Sequence, residues 1–211
     1  MRTKTLLLTA ALSAAGVATS MAQVFSVNAV GYVTTKIPAG KFALISNPLI
    51  ATDNKVEALF AGLNVQIFKF DSAKGAWNTA QFDDLENKII GPAAAQEVKP
   101  GEGVFVKNLG KTEISVTFVG EVPAGDLSNP LPKGFSVRSS QVPQKGKLKD
   151  ALGLNGEVGD TIYRWTGDNY KQLLYDDLDN NWTPNDDIEV GEAFFISKKN
   201  AGAWTRKFTI N

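Results

Sequence analysis

The 211-residue chain contains 22 Lys and Arg against 22 Asp and Glu, and it has neither His nor Cys. It therefore cannot form a Ser-His-Asp triad, a thiol nucleophile, a zinc site of the usual His/Cys kind or a disulfide framework. A composition of 43% hydrophobic and 21% charged residues is typical of a folded protein. Any catalysis would depend on carboxylate, hydroxyl or Lys groups.

The first 22 residues have the three parts of a secretory signal peptide. Arg2 and Lys4 form a short basic start, residues 6–17 are apolar apart from Thr, Ser and Gly, and Ser20-Met21-Ala22 offers small residues for cleavage. The apolar run is shorter than the roughly 20 residues of a membrane-spanning helix. We expect a mature chain from Gln23, located in the periplasm, outside the cell or on its surface, without membrane insertion.

The charge of the expected mature chain bears on its partners. Loss of the two basic residues leaves 20 basic and 22 acidic side chains, a net charge of −2. Nucleic acids and anionic membranes call for a basic surface. The composition therefore indicates no nucleic-acid partner.

Four motifs recur in the same order in the two halves of the remaining chain. They pair Phe42 with Phe135, residues 67–70 with 162–165, residues 82–85 with 175–178, and residues 101–106 with 191–196. A shorter match joins residues 30–33 to residues 119–122. Since the four separations are all between 90 and 95 residues, we interpret the chain as two homologous units, 23–122 and 123–211. A segment rich in Pro and Gly begins the second unit.

The hydrophobic patterns favour short antiparallel strands. Along the chain, strands are predicted at residues 25–33, 66–70, 104–106, 114–119, 162–165, 194–196 and 206–210, with hairpin turns at 72–75 and 166–169. The predicted fold is all-β, with two homologous tandem antiparallel sandwich or barrel-like units, each carrying one short helix.

The helix of the first unit is predicted from helical spacing. The spaced apolar residues are Val56, Leu59, Phe60 and Leu63. Asn54 and Glu57 are placed as its N-terminal cap and the cap's partner. Leu148 and Leu152 indicate the corresponding helix in the second unit.

The start of the mature chain carries a resemblance. Residues 25–33, with the sequence Phe-Ser-Val-Asn-Ala-Val-Gly-Tyr-Val, precede paired units that contain a Gly-Glu-Gly-Val-Phe-Val strand. This arrangement resembles uncharacterised secreted tandem β-repeat proteins of verrucomicrobial and planctomycete-type bacteria. The second unit departs from the motif with Ala193 in place of the second Gly. The resemblance implies secretion and a repeat architecture, and no chemistry.

Aromatic residues form the first candidate site. Trp77, Trp165, Tyr170 and Trp182 could provide a platform for sugar rings, whose apolar faces suit flat side chains. Core or cross-strand packing is the favoured interpretation, because the aromatic pairs fall where hairpin strands face each other.

Acidic residues form the second candidate site. Asp176, Asp177, Asp179, Asp186 and Asp187 offer oxygen ligands suited to Ca²⁺, without the spacing of an EF-hand loop. The first unit has Asp83-Asp84-Leu85-Glu86-Asn87 in the corresponding place. A structural turn is therefore favoured over a calcium site.

Two Glu residues and the N-terminal strand complete the candidates. Glu102 and Glu192 recur at a Gly-flanked strand entrance, where a carboxylate accepting backbone N–H bonds is favoured over a glycosidase pair. The second unit has no segment matching residues 119–122 after its last strand, which suggests an unfilled sheet edge. Residues 25–33 of another molecule could add to that edge, although pairing within their own unit is favoured.

These observations leave three classes of function. The tandem β units contain no evident set of catalytic residues. They therefore favour a non-enzymatic structural or interaction protein of the cell envelope or extracellular matrix that is able to self-assemble. A carbohydrate-binding protein with a polysaccharide ligand is the alternative, and a secreted glycoside hydrolase is the third. No catalytic residue and no cofactor is assigned.

Overall fold

The computed structural model describes residues 29–210, which form sixteen strands and one short helix. The strands are β1 (Val30–Ile37), β2 (Phe42–Ile45), β3 (Val65–Asp71), β4 (Ala76–Asp83), β5 (Lys88–Ile90), β6 (Val104–Asn108), β7 (Ile114–Glu121), β8 (Gly125–Leu131), β9 (Gly134–Ser139), β10 (Gly146–Lys147), β11 (Thr161–Trp165), β12 (Tyr170–Asp176), β13 (Asn181–Thr183), β14 (Asp187–Ile188), β15 (Ala193–Lys198) and β16 (Gly202–Phe208), and the helix is α1 (Val56–Leu59). The predicted all-β class is confirmed. The predicted signal peptide and residues 23–28 lie outside the described residues.

Two five-stranded antiparallel sheets dominate the fold. Their strand orders are β2-β6-β3-β4-β5 and β9-β15-β11-β12-β13, so that each strand of the first sheet has a counterpart at the same place in the second. In each half the first and last strands form a separate antiparallel ribbon, β1 with β7 and β8 with β16. This correspondence supports the predicted pair of homologous units.

Each sheet uses its two faces differently. One face packs on the ribbon of its own half, where Ile67 of β3 lies in one buried core with Phe118 of β7, and Ile196 of β15 in another with Trp204 of β16. The other faces of the two sheets meet in a third cluster centred on Leu44, Phe105, Val137 and Ala193. The third cluster joins the halves into one body.

The junction between the halves is reciprocal. Its backbone contacts are the hydrogen bonds Ser46 N to Gly191 O at 2.9 Å and Ser139 N to Gly101 O at 3.0 Å, and the bridges Ile45 with Glu192 and Arg138 with Glu102. Each half therefore gives the other the same kind of contact that it receives. Such an isologous arrangement corresponds to a local two-fold relation between the halves.

The helix predictions are only partly confirmed. Helix α1 is four residues long and begins after Lys55, with no side-chain cap, whereas Asn54 Oδ1 instead accepts hydrogen bonds from Asn47 and Ala51. The predicted helix at Leu148 and Leu152 is wrong, because these residues lie in turns. Both leucines are buried in the second core, so their helix-like spacing reflects burial rather than helical structure.

The match between residues 30–33 and residues 119–122 is not a repeat. Strands β1 and β7 are partners, with Gly31 opposite Gly120 and Tyr32 opposite Val119. A Cβ at Gly120 would overlap the carbonyl oxygen of Ile50, which crosses this end of the ribbon. The shared Val-Gly sequence therefore lies at one closely packed end of a single ribbon and does not mark a second copy of the unit.

This correction removes the sequence argument for a missing segment in the second half. There β16 pairs along its whole length with β8, as β7 pairs with β1 in the first half, and the addition of residues 25–33 from another molecule stays a prediction. The favoured pairing of the N-terminal strand within its own unit is observed for residues 30–37. Within residues 29–210 there is no helix of the length and apolarity needed to cross a membrane.

Candidate functional site

Ten aromatic side chains lie together on the two sheets, on the faces turned away from the ribbons. We call them the aromatic surface, which consists of Phe42, Phe68, Phe70, Trp77 and Phe105 from the first half and Phe135, Tyr163, Trp165, Tyr170 and Phe195 from the second. The contacting rings have centroids 5.0 to 6.5 Å apart, mostly edge to face. Aromatic side chains favour this geometry because of their ring quadrupoles, and it holds the rings in place against one another.

The two-residue period of a strand places these rings on one face. Phe68 and Phe70 alternate along β3, and the register puts Trp77 of β4 directly opposite Phe70. In the second half, Trp165 of β11 faces Tyr170 of β12 in the same way. The aromatic surface is thus built from equivalent positions of the two halves.

Four rings of the aromatic surface are well exposed. Phe135 is 49% exposed, Tyr170 46%, Trp77 40% and Phe42 36%, while Phe105 at the centre is nearly buried. Two shallow pockets of about 210 and 220 Å³ open between them. The first pocket includes Phe42 and Phe68, and the second includes their counterparts Phe135 and Tyr163.

Polar groups border the aromatic surface. The Nζ of Lys107 lies 5.3 Å from the ring centroid of Phe42, and Lys41 Nζ lies 2.8 Å from Asp168 Oδ1 across the two halves. Burial raises the pKa of the Tyr170 phenol above its ordinary value of 10. Tyr170 is therefore a neutral hydrogen-bonding group at physiological pH.

The structure brings together three of the four aromatic residues predicted for a sugar platform. Trp77, Trp165 and Tyr170 belong to the aromatic surface, but the inclusion of Trp182 was wrong. Trp182 is completely buried in the second core, where its Nε1 donates to Leu154 O at 2.8 Å. Its position in a hairpin resembles the positions of the other three residues, but the pleat of β13 directs its side chain into the core.

Seven members of the aromatic surface were missed. They are Phe42, Phe68, Phe70, Phe105, Phe135, Tyr163 and Phe195. The alternation of aromatic residues in residues 67–70 and 162–165 was a usable signal, because alternate side chains of a strand share a face. What the alternation could not show was that both faces point toward the same side of the molecule.

The acidic residues proposed for calcium do not converge. Asp176 Oδ1 accepts the N–H of Leu178 at 2.9 Å, as Asp83 does for Leu85 in the first half, which confirms the predicted structural turn. Asp186 pairs with Arg164 and Lys171, Asp187 pairs with Lys147, and Asp177 and Asp179 lie exposed at the hairpin tip. Within the described part of the chain no three acidic side chains are arranged to hold a metal ion.

We expect chelation to leave stability unchanged. A cation bound only by the folded state would raise the melting temperature by mass action. The melting temperature, followed by circular dichroism, should therefore stay within about 1 °C when EDTA replaces Ca²⁺, since only a stability change of a few tenths of a kcal/mol would fit such a shift. A fall on chelation that Ca²⁺ reverses would contradict this interpretation of the acidic residues.

Glu102 and Glu192 play the structural role predicted for them. Glu102 Oε2 accepts the backbone N–H of Lys99 at 3.2 Å and pairs with Lys69 Nζ at 2.9 Å. Glu192 accepts the N–H of Glu189 at 3.0 Å and pairs with Arg164. The hydrogen bond to Glu192 raises the pKa of Arg164. Each carboxylate is thus paired with a basic side chain and accepts a backbone N–H group from a turn.

No family model, curated protein or solved structure matches the chain. The proposals that follow therefore depend on the chain's own sequence and geometry.

Proposed function

We propose that the chain is a secreted, non-enzymatic binding protein of the cell envelope or extracellular matrix, and that its aromatic surface binds a polysaccharide. The observation that carries this proposal is the set of ten rings, contributed equally by both halves, of which four are at least a third exposed and in which Phe135 and Tyr163 line a pocket with Tyr170 and Phe195. A soluble protein rarely exposes a large contiguous apolar patch without using it. The surface is therefore assigned a binding role.

The shape and the border of the surface favour carbohydrate. Sugar rings have flat apolar faces that match exposed aromatic rings, and hydroxyl groups at their edges that need hydrogen-bonding partners. The border supplies such partners in Lys107, Lys133, Ser72 and the Tyr170 hydroxyl. Because two equivalent pockets lie side by side, a chain of repeating units can contact both.

Replacing Trp77 or Tyr170 with alanine is expected to weaken polysaccharide binding about tenfold or more, since an exposed aromatic anchor contributes on the order of 1.4 kcal/mol or above. Pull-down on insoluble cellulose, chitin and xylan would identify the polymer, and titration with soluble oligomers would give the affinity. Fluorescence provides a second readout, because Trp77 and Trp165 lie in the surface while Trp182 and Trp204 are buried.

Tyr32→Ala is the matched control. Tyr32 is 79% exposed on the β1–β7 ribbon, away from the aromatic surface, so its loss should leave binding unchanged. Equal losses from Tyr32→Ala and Trp77→Ala would show non-specific adhesion. Absence of binding to every polymer would reject carbohydrate as the ligand.

Self-association is the second candidate function, in keeping with a structural role. The observation that favours it is the apolar centre of the surface, where the two pockets are lined by aromatic side chains alone. An apolar core with a polar border is also the anatomy of a protein interface. Sedimentation velocity over a range of concentrations tests this candidate, with reversible dimers expected for the intact chain and monomers for Trp77→Ala.

A further inference from the structure

A separate cavity of about 540 Å³ lies at the junction of the two halves. It shares no residue with the aromatic surface. Its polar lining includes Asn54, Lys99 and Glu102 from the first half, and Ser128, Arg138 and Gln141 from the second. Its volume falls within the range of pockets that hold small molecules.

Arg138 is the charged group of this cavity for which residues 29–210 provide no ion-pair partner. Its Nε donates to Pro130 O at 2.7 Å and its Nη1 to Val137 O at 2.9 Å, both neutral carbonyls. None of the ion pairs in this described range includes Arg138. Burial lowers the pKa of Arg138, and Glu102 opposes this only in part.

The other charges of the cavity are already paired. Glu102 binds Lys69 Nζ at 2.9 Å, and Lys99 Nζ lies 3.1 Å from Glu97. Glu102 thus serves both Lys69 and Arg138, and with Lys69 counted the three bases around the cavity outnumber the two acids by one. A partly buried cation without a counter-ion is costly, and an anionic ligand removes that cost.

The reciprocal junction shows that the fold does not need a charge at this place. Arg138 bridges Glu102 through its backbone, and in the other half Ile45 makes the equivalent bridge to Glu192. Ile45 is buried in the first core. An apolar residue thus satisfies the same backbone contact, so the bridge to Glu102 does not require the guanidinium of Arg138.

We propose that this cavity binds a carboxylate, which pairs with the guanidinium of Arg138. The planar fork of an Arg side chain matches the two oxygens of a carboxylate. Asn54 Oδ1 and Gln141 Nε2 already bond within the protein, so the lining offers Asn54 Nδ2, Gln141 Oε1 and the Ser128 hydroxyl to the hydroxyl groups of an acid of monosaccharide size. The carboxylate belongs either to a free sugar acid or to an acidic unit of a polysaccharide.

Isothermal titration with D-glucuronate and D-glucose tests the proposal, because these sugars differ in one carboxylate. We expect the intact chain to bind D-glucuronate and not D-glucose, with an affinity that falls as salt rises. Arg138→Gln should weaken binding about tenfold or more, as expected for loss of a charge-assisted pair. Gln141→Glu, which keeps Arg138 and adds a negative charge to the cavity, should weaken binding as well.

Three controls show whether a loss of binding comes from the Arg138 cavity itself. Arg206→Gln removes another partly buried guanidinium outside the cavity and should leave the affinity unchanged, and melting curves show whether each variant is folded. Trp77→Ala should also leave D-glucuronate binding unchanged, so the aromatic surface and the cavity can fail independently. A short glucuronate oligomer that binds more tightly than D-glucuronate identifies a polymer as the source, and equal affinities identify a free acid.

Equal binding of D-glucose and D-glucuronate would overturn the proposal. No binding of either sugar, or the same D-glucuronate affinity for the intact chain, Arg138→Gln and Gln141→Glu, would also overturn it.

Discussion

Replacing Gly103 with alanine is expected to lower the free energy of unfolding by about 2–3 kcal/mol, the upper part of the range for overpacked cores. Gly103 lies where the two sheets meet, and a Cβ added there would overlap the Cβ of Ala193 and lie 2.8 Å from Val137 Cγ1. The strain is steric, because the backbone of Gly103 is not in the left-handed region. Urea denaturation of the variant measures the loss.

Two variants separate the junction from a general effect of adding a methyl group. Gly202→Ala should change stability by less than about 0.5 kcal/mol, since nothing lies within 4 Å of its added Cβ. Exchanging the two residues, as Gly103→Ala with Ala193→Gly, should recover part of the loss, because Gly103 and Ala193 occupy counterpart positions of the two halves. Equal effects of Gly103→Ala and Gly202→Ala would contradict the packing described for the junction.

Replacing Asp160 with alanine is expected to cost about 3–5 kcal/mol, the usual cost of breaking a buried ion pair. Asp160 and Lys198 are both buried, and Asp160 also accepts the backbone N–H groups of Glu157 at 2.8 Å and Lys199 at 3.0 Å. Removing Asp160 leaves the Lys198 ammonium in the interior without a counter-charge. The melting temperature and urea midpoint should both fall.

The exposed pair of Lys41 and Asp168 provides the comparison for Asp160. Asp168→Ala should cost less than about 1 kcal/mol, because its side chain is 73% exposed and water screens the pair. The double variant Asp160→Leu with Lys198→Met should be less damaging than Asp160→Ala, since no unpaired charge remains. A small loss from Asp160→Ala would show that Lys198 reaches water when its partner is removed.

The seven strands predicted from sequence all overlap observed strands, because their cause is local. Alternation of aromatic and basic residues identifies β3 and β11, and the motif offsets place Phe42 and Phe135 at the starts of counterpart strands. The Asp83 and Asp176 turns were also predictable, since an Asp side chain bonds the backbone two residues later. These features depend on neighbours in the chain.

The wrong predictions concern positions where the same local sequence pattern can arise from either of two physical causes. Leu148 and Leu152 are spaced as in a helix but are buried in turns. The similar motifs that begin at Val30 and Val119 lie in strands that are partners in one ribbon, so they do not mark a repeat of the chain. Trp182 resembles the surface aromatics in its hairpin position, and only the pleat decides that it points inward.

By itself, the sequence determined the all-β class, the places of seven of the sixteen described strands and the lack of His and Cys chemistry, because these follow from composition and short-range periodicity. Only the tertiary structure decided which faces of the two sheets meet, and therefore that Phe105, Phe195 and their neighbours form one aromatic surface. It also decided that, within residues 29–210, Arg138 has no ionic partner in the cavity on the junction. Contacts between residues about 90 positions apart depend on how the two sheets pack together. The sequence pattern of a single strand does not contain that information.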